Sequence, residues 1–148
     1  MGKVSSELGQ RAYLDSNIVI YAIEGFADYA DQIRALLEAM DTGEIVAVTS
    51  ELTLAETLVK PIKDQDLAIQ QAYRTFLTPT SVMEIVPISR DILEDAAQLR
   101  ATTKLKLPDA IQLATAFRER CDSFLTNDDS FKSLGLPIVK ILSEKSLT

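Results

Sequence analysis

Short apolar stretches alternate with helical patterns along almost the whole chain, and this alternation restricts the fold more than any other feature. The stretches typical of strands cover residues 11–16, 45–48, 83–88, 123–126 and 137–142. The spacing of apolar residues predicts helices over 17–23, 28–40, 51–60, 66–77, 90–102 and 109–117, with a helical turn over 128–134. Strands separated by helices favour a parallel sheet covered on both faces. The prediction is one three-layer α/β/α domain with a mostly parallel five-stranded sheet.

Proline positions and the polar amino terminus set the expected boundaries. Pro61 is expected to stop the helix over 51–60, and Pro87 indicates that 83–88 is an edge strand. Pro108 is expected to open the helix that contains Asp109. Residues 1–10 are polar and are predicted to form a short tail before a single domain over residues 11–148.

The composition excludes several classes of enzyme. The chain has no histidine and one cysteine, which removes Ser–His and Cys–His nucleophile pairs and the common zinc sites. A net charge of -7 argues against a generic nucleic-acid coat protein, which would be basic. No apolar run approaches the ~18 residues that span a membrane. The lone cysteine fits a reducing compartment, so a cytoplasmic protein without membrane contact is predicted.

Four acidic residues lie where predicted strands end or near where predicted helices begin. Asp15 follows the first strand and Asp128 follows the fourth. The carboxyl ends of parallel strands meet at one edge of a sheet, so these two side chains would face each other if their strands are neighbours. Glu56 lies two turns into the helix after the second strand, and Asp109 lies in the first turn of an apolar helix.

Such a set of carboxylates predicts a metal site. Carboxylates brought close together repel one another and take up protons unless a cation neutralises them. Oxygen-only ligation favours Mg²⁺ or Mn²⁺, and these ions can activate water for phosphodiester hydrolysis. Each acid also has a structural explanation, since Asp15 and Asp128 could cap helices, Asp109 could complement a helix dipole and Glu56 could be a solvated helix residue. Their joint placement at one rim favours a single metal-binding cleft.

Four segments carry a resemblance to a known family. They are YLDSN at residues 13–17, SELTLAE at 50–56, LPDA at 107–110 and LTND at 125–128, the last ahead of Phe131. In this order and spacing, the chain resembles PIN-domain proteins, and most of all the ribonuclease toxins of bacterial VapBC toxin–antitoxin modules. The resemblance extends over residues 13–142.

This resemblance implies RNA cleavage that depends on Mg²⁺ or Mn²⁺. Asp15, Glu56, Asp109 and Asp128 match the catalytic acids of the family. Asp15 and Asp109 match those tied most directly to metal, and Asp128 is expected to join them as a metal ligand.

The resemblance also implies supporting residues and partners. Asn17 and Thr126 would orient carboxylates or water. A homodimer and a cognate antitoxin protein are expected. Three departures stand out. About ten residues precede the first strand, and Asp129 lies beside Asp128, which leaves open which of the two serves the metal. The overall acidity of the chain also leaves the RNA-binding surface unexplained.

A basic cluster precedes Asp109 and is the candidate RNA contact. It consists of Arg100, Lys104 and Lys106, to which Lys60 and Lys63 could add. Solvated lysines at helix ends are the ordinary explanation for any one of them. The hypothesis is that the cluster contacts phosphates.

The predicted function is therefore a metal-dependent endoribonuclease that is the toxin of a type II toxin–antitoxin pair and leaves 5′-phosphate ends. The alternatives are an RNA-processing nuclease of the PIN fold, a catalytically silent PIN-fold scaffold, and a phosphoryl-transfer domain of receiver or phosphatase type. The last is disfavoured because Asn17 stands where such a phosphatase needs a second acid. Lys140 also lies inside the fifth strand, whereas a receiver needs a lysine after it.

Overall fold

The computed structural model describes residues 3–142 and has one five-stranded sheet in which every strand pairing is parallel. Its spatial order is β3-β2-β1-β4-β5, so β3 is an edge strand as Pro87 predicted, although Pro87 itself lies just after the strand. The fold predicted from the alternation is confirmed. The strands are β1 (Arg11–Leu14), β2 (Val46–Ser50), β3 (Met83–Val86), β4 (Ser123–Thr126) and β5 (Val139–Ile141).

Helices cover both faces of this sheet. Two 3₁₀ turns, Ala27–Tyr29 and Asp129–Leu134, complete the architecture. Within residues 3–142, no helix is long and apolar enough to cross a membrane. The helices are α1 (Lys3–Leu8), α2 (Ser16–Glu24), α3 (Ala30–Asp41), α4 (Glu51–Lys63), α5 (Leu67–Phe76), α6 (Arg90–Thr102) and α7 (Leu107–Arg118).

Two apolar cores lie on opposite faces of the sheet, because successive side chains of a strand point to opposite sides. On β1, Leu14 joins the core formed with α2, α3 and α5, whereas Tyr13 joins the core formed with α6 and α7. The Tyr13 ring stacks on Phe124 of β4 with a centroid distance of 5.2 Å. Both faces of β1 are buried, which is why this strand is central.

The polar amino terminus contains a helix where the sequence predicted a tail. α1 packs against the first core through Leu8, which is fully buried, and the Ser123 hydroxyl donates a 2.7 Å hydrogen bond to the Leu8 carbonyl. In the sequence only Val4 and Leu8 mark this helix, at a spacing of one turn, and so short an apolar pattern is not distinctive.

Pro61 does not stop α4, which continues to Lys63, so that prediction was wrong. The Pro61 ring is buried and its carbonyl accepts hydrogen bonds from the Asp66 amide (2.9 Å) and the Gln70 side chain (3.1 Å). These contacts hold the last turn of α4 against the start of α5. Tertiary contacts thus override the local preference of proline.

The order in which strands are added to the sheet reverses between β1 and β4. From β1 the chain moves outward through β2 and β3, and β4 and β5 are added on the other side of β1. This point, where neighbouring connections diverge, leaves a crevice at the carboxyl ends of the strands. The Asp15 amide donates to the Leu125 carbonyl (3.1 Å), so the residue after β1 is tied to β4 at the crevice.

Candidate active site

Asp15 is the most buried acid at the crevice, with 6% of its surface exposed. It is the N-cap of α2, and one carboxylate oxygen accepts a 2.8 Å hydrogen bond from the Ser16 amide. The other oxygen accepts a 2.7 Å hydrogen bond from the Thr126 hydroxyl. Burial nevertheless raises the pKa of Asp15 from 3.8 to about 6, and the charges of Asp109 and Glu56 add to the rise.

Asp109 and Asp128 are contributed by two further elements, α7 and the second 3₁₀ turn. Asp109 is in the first turn of α7, and its pKa is raised first by burial and then by the charges of Asp128 and Glu56, while Lys106 opposes the rise. Asp128 caps the second 3₁₀ turn by accepting a 2.9 Å hydrogen bond from the Ser130 amide.

Glu56 reaches the crevice from α4, through one carboxylate oxygen that is held by two donors. Oε1 accepts from the Ser16 hydroxyl at 2.7 Å and from the Gln112 side-chain amide at 2.8 Å. Among residues 3–142, no hydrogen bond to the second oxygen, Oε2, is found. Glu56 is therefore anchored to α2 and α7 although its own residue is exposed.

The four predicted acids are thus electrostatic neighbours with too little positive charge nearby. Among residues 3–142, the ion pairs found do not include any of the four. In the same residues no three acidic side chains converge tightly enough to enclose an ion. Carboxylates that lie close to one another repel unless a cation neutralises their charge. An all-oxygen donor set under mutual repulsion has the chemistry that a hard divalent cation requires.

The two predicted supporting residues make different contacts. Thr126, the last residue of β4, bonds to Asp15 and also accepts a 3.1 Å hydrogen bond from the Asp128 amide, so it links two acids. The Asn17 side-chain amide donates to the Asn127 side-chain oxygen Oδ1 at 3.0 Å, and the Asn127 side-chain amide donates to the Tyr21 hydroxyl. Asn17 therefore bonds to another amide at the rim.

The basic residues of the sequence analysis lie on the surface. Arg100 is in the last turn of α6, Lys104 lies in the following loop, and Lys106 is the residue just before α7. Of these, Lys106 is near enough to Asp109 to lower its pKa. Lys60 forms a 2.8 Å ion pair with Asp64.

Sequence reasoning missed Gln112. This residue is fully buried in the middle of α7, and its side chain contacts residues of β1, α2 and α4. The available signal was a single amide on a helix that is otherwise apolar on nearly every side. A buried amide needs several hydrogen-bond partners, so its position marks a polar interior.

The parallel sheet and the acids at its carboxyl edge define an α/β protein with an acidic cleft. A family model described as the PIN domain matches residues 12–136, and the chain belongs to the PIN-domain family. No curated protein sequence matches the chain.

Solved structures extend this assignment. A chain of a toxin–antitoxin complex from Klebsiella pneumoniae is 33% identical, with a TM-score of 0.64, over 91% of this chain and 98% of that chain. VapBC2 from Rickettsia felis, bound to a promoter DNA fragment, is 21% identical with a TM-score of 0.67 over 89% and 98%. VapC20 from Mycobacterium tuberculosis, a toxin that cleaves the sarcin–ricin loop, is 17% identical with a TM-score of 0.67 over 84% and 95%. The last two share the fold.

Proposed function

We propose that this protein is a divalent-metal-dependent endoribonuclease and the toxin of a type II toxin–antitoxin pair. The observation that carries the proposal is the buried Asp15 carboxylate, whose pKa is raised by the charges of Asp109 and Glu56, while the charge of Asp128 raises the pKa of Asp109. Membership of the PIN-domain family supports nuclease chemistry. The similar chain from a toxin–antitoxin complex supports the toxin assignment.

Asp15, Asp109 and Asp128 are the residues that would hold Mg²⁺ or Mn²⁺. When bound, such an ion neutralises the acids and stabilises negative charge on the phosphate. Asp128 is preferred over Asp129 as a ligand because its charge raises the pKa of Asp109, whereas Asp129 is exposed in the 3₁₀ turn. Thr126 would hold the Asp15 carboxylate close to the backbone of Asp128 through its two hydrogen bonds.

Glu56 is the residue that would orient the attacking water and accept its proton. Its Oε1 is occupied by Ser16 and Gln112, so Oε2 is the oxygen free for this task. Attack of the water oxygen on phosphorus breaks the bond to the 3′ oxygen, which takes a proton from solvent. The products would carry 5′-phosphate and 3′-hydroxyl ends.

The RNA would approach along the surface at the N-terminal end of α7. Lys106 lies three residues before Asp109, just ahead of α7, and Lys104 and Arg100 are exposed positions further back along the chain. Lysine and arginine bind phosphates by charge and through released counterions, which gives a salt-dependent affinity. This arrangement would place phosphates beside the carboxylates in spite of the chain's net charge of -7.

The proposed partners are an antitoxin and a second copy of the chain. The antitoxin is supported by two structural neighbours, which come from a toxin–antitoxin complex and from VapBC2. The homodimer rests on the family resemblance.

The test is cleavage of a structured RNA pool with Mn²⁺, Mg²⁺ or EDTA. Wild type, Asp15→Asn and Asp109→Asn are compared, with the exposed N-cap Asp66→Asn as the matched control. Metal-dependent cleavage that is lost in the first two variants and kept in the control is expected. Adding Asp128→Asn and Asp129→Asn identifies the acid that serves the metal. Products ending in 2′,3′-cyclic phosphate, or cleavage that survives in both site variants, would refute the proposal.

A further inference from the structure

The polar interior beneath Glu56 is built around one side chain, that of Gln112. Its amide nitrogen lies 2.8 Å from Glu56 Oε1, 3.0 Å from the Ser16 hydroxyl and 3.2 Å from the Thr53 hydroxyl. Its amide oxygen accepts a hydrogen bond from the Tyr13 hydroxyl. Four separate segments of the chain therefore meet at one amide with no exposed surface.

The orientation of this amide follows from its partners. An ionised carboxylate only accepts hydrogen bonds, so the NH₂ group of Gln112 must face Glu56. The opposite end then presents its oxygen to Tyr13, whose hydroxyl donates. Tyr13 is itself fully buried on β1 and stacked on Phe124, so the anchor of the amide is rigid.

The neighbouring groups give the two N–H protons of Gln112 three acceptors, so at least one proton is shared between two of them. The Thr49 hydroxyl donates to the Leu14 carbonyl at 2.8 Å, so Thr53 donates its proton to Thr49 across 2.7 Å. The Thr53 oxygen is then free to accept from Gln112. The Ser16 hydroxyl donates to Glu56 and accepts from Gln112 in the same way.

Glu56 needs such support because it is an exposed residue on a helix. A free glutamate side chain at the surface samples many rotamers, and fixing it in one of them costs conformational entropy. Here two donors hold Oε1, and one of them comes from a side chain that is completely buried. The carboxylate is therefore held in one orientation before any substrate arrives.

We propose that Gln112 is a positioning residue that, together with Ser16, fixes the Glu56 carboxylate so that Oε2 faces the attacking water. The inference rests on the proposed nuclease function and deepens it. A buried amide that only satisfies the core would stabilise the fold but would have no specific link to the role of Glu56.

The decisive experiment is a double-mutant cycle on single-turnover cleavage of the RNA found in the cleavage assay. Gln112→Met keeps a similar volume and removes every hydrogen bond of the amide. It should lower the cleavage rate by about 10- to 100-fold in the wild type, because small misplacements of catalytic groups have effects of that size. In a Glu56→Ala background it should change the rate by less than about twofold, since the group being positioned is already absent.

Three further measurements separate a positioning role from a general loss of structure. Thr115→Val, on the same helix, removes a buried hydroxyl that bonds only to the Ile111 carbonyl, and it should leave the cleavage rate unchanged. RNA affinity in EDTA should be the same for Gln112→Met and wild type. The side-chain amide NMR signals of Gln112 should shift in Glu56→Ala, which reports the contact without requiring activity.

The outcomes are distinct. Equal rate losses in both backgrounds, or Gln112 amide signals that are unchanged by Glu56→Ala, would overturn the positioning role while leaving the nuclease intact. Wild-type protein that fails to cleave RNA with either metal would overturn the proposed function, and the inference would fall with it.

Discussion

The buried charge of Asp15 should make the metal-free protein less stable at neutral pH than its own Asp15→Asn variant. Only 6% of the residue's surface is exposed, and its two hydrogen bonds do not offset the cost of removing the charge from water. Burial therefore raises its pKa from 3.8 to about 6. The residue that we propose as a metal ligand therefore lowers the stability of the metal-free fold when its carboxylate is ionised.

The sign and size follow from proton linkage. Between about pH 4 and about pH 6 the folded protein holds a proton on Asp15 that the unfolded chain has lost, so the free energy of unfolding falls as the pH rises. Each pKa unit corresponds to about 1.4 kcal/mol, so the rise from 3.8 to about 6 amounts to about 3 kcal/mol above this window. Asparagine carries no charge and avoids that loss.

The assay is urea denaturation in EDTA at about pH 4 and about pH 8. The difference in unfolding free energy between Asp15→Asn and wild type should be about 3 kcal/mol more favourable to the variant at the higher pH. Any hydrogen bond that asparagine makes badly contributes at both pH values and cancels in this comparison. Asp66→Asn is the control, because it replaces an N-cap carboxylate of the same kind at an exposed position. A difference for Asp15→Asn that does not change with pH would refute the reasoning.

Two further perturbations test the surroundings of this carboxylate and the proposed RNA surface. Thr126→Val removes the hydroxyl that donates to Asp15, so the pKa of Asp15, followed by carboxyl-carbon NMR, should rise further, and stability at about pH 8 should fall by about 1–3 kcal/mol. An unchanged pKa would contradict the role of this hydrogen bond. Lys104→Glu combined with Lys106→Glu should weaken RNA binding and flatten its dependence on salt concentration, as measured by fluorescence anisotropy. Arg34→Glu, whose partner is Asp31 on α3, is the control, and an unchanged salt slope in the double variant would exclude these lysines from the RNA surface.

Several elements followed from the sequence because their signals are local. The period of apolar residues located the strands and the long helices, and β4 was predicted at residues 123–126, where the structure has it. The positions of the acids relative to their own elements followed for the same reason, since Asp15 and Asp128 lie at or just after the ends of apolar strands. Glu56 and Asp109 joined them through the joint placement of the four acids, and the family resemblance supported the whole set, in which each residue alone has an ordinary explanation.

Other features depended on contacts between distant residues. α1 is held by Leu8 in the core and by the hydrogen bond from Ser123, residues separated by most of the chain. The path of α4 through Pro61 depends on groups of the following helix. Rules based on single residues take no account of such distant partners. The sequence analysis therefore predicted a tail over residues 1–10 and a helix end at Pro61.

What the sequence by itself determined is the order of strands and helices and the position of each acid relative to its own element, because periodicity and strand ends are properties of neighbouring residues. Only the tertiary structure decided that β1 lies beside β4, which brings Asp15 and Asp128 to one crevice. It also decided the surroundings of Gln112, an amide that gains partners from β1, α2 and α4 only when the sheet and its two layers are assembled. The raised pKa of Asp15 also depends on the tertiary structure, since the burial of this carboxylate and the nearby like charges exist only in the folded chain.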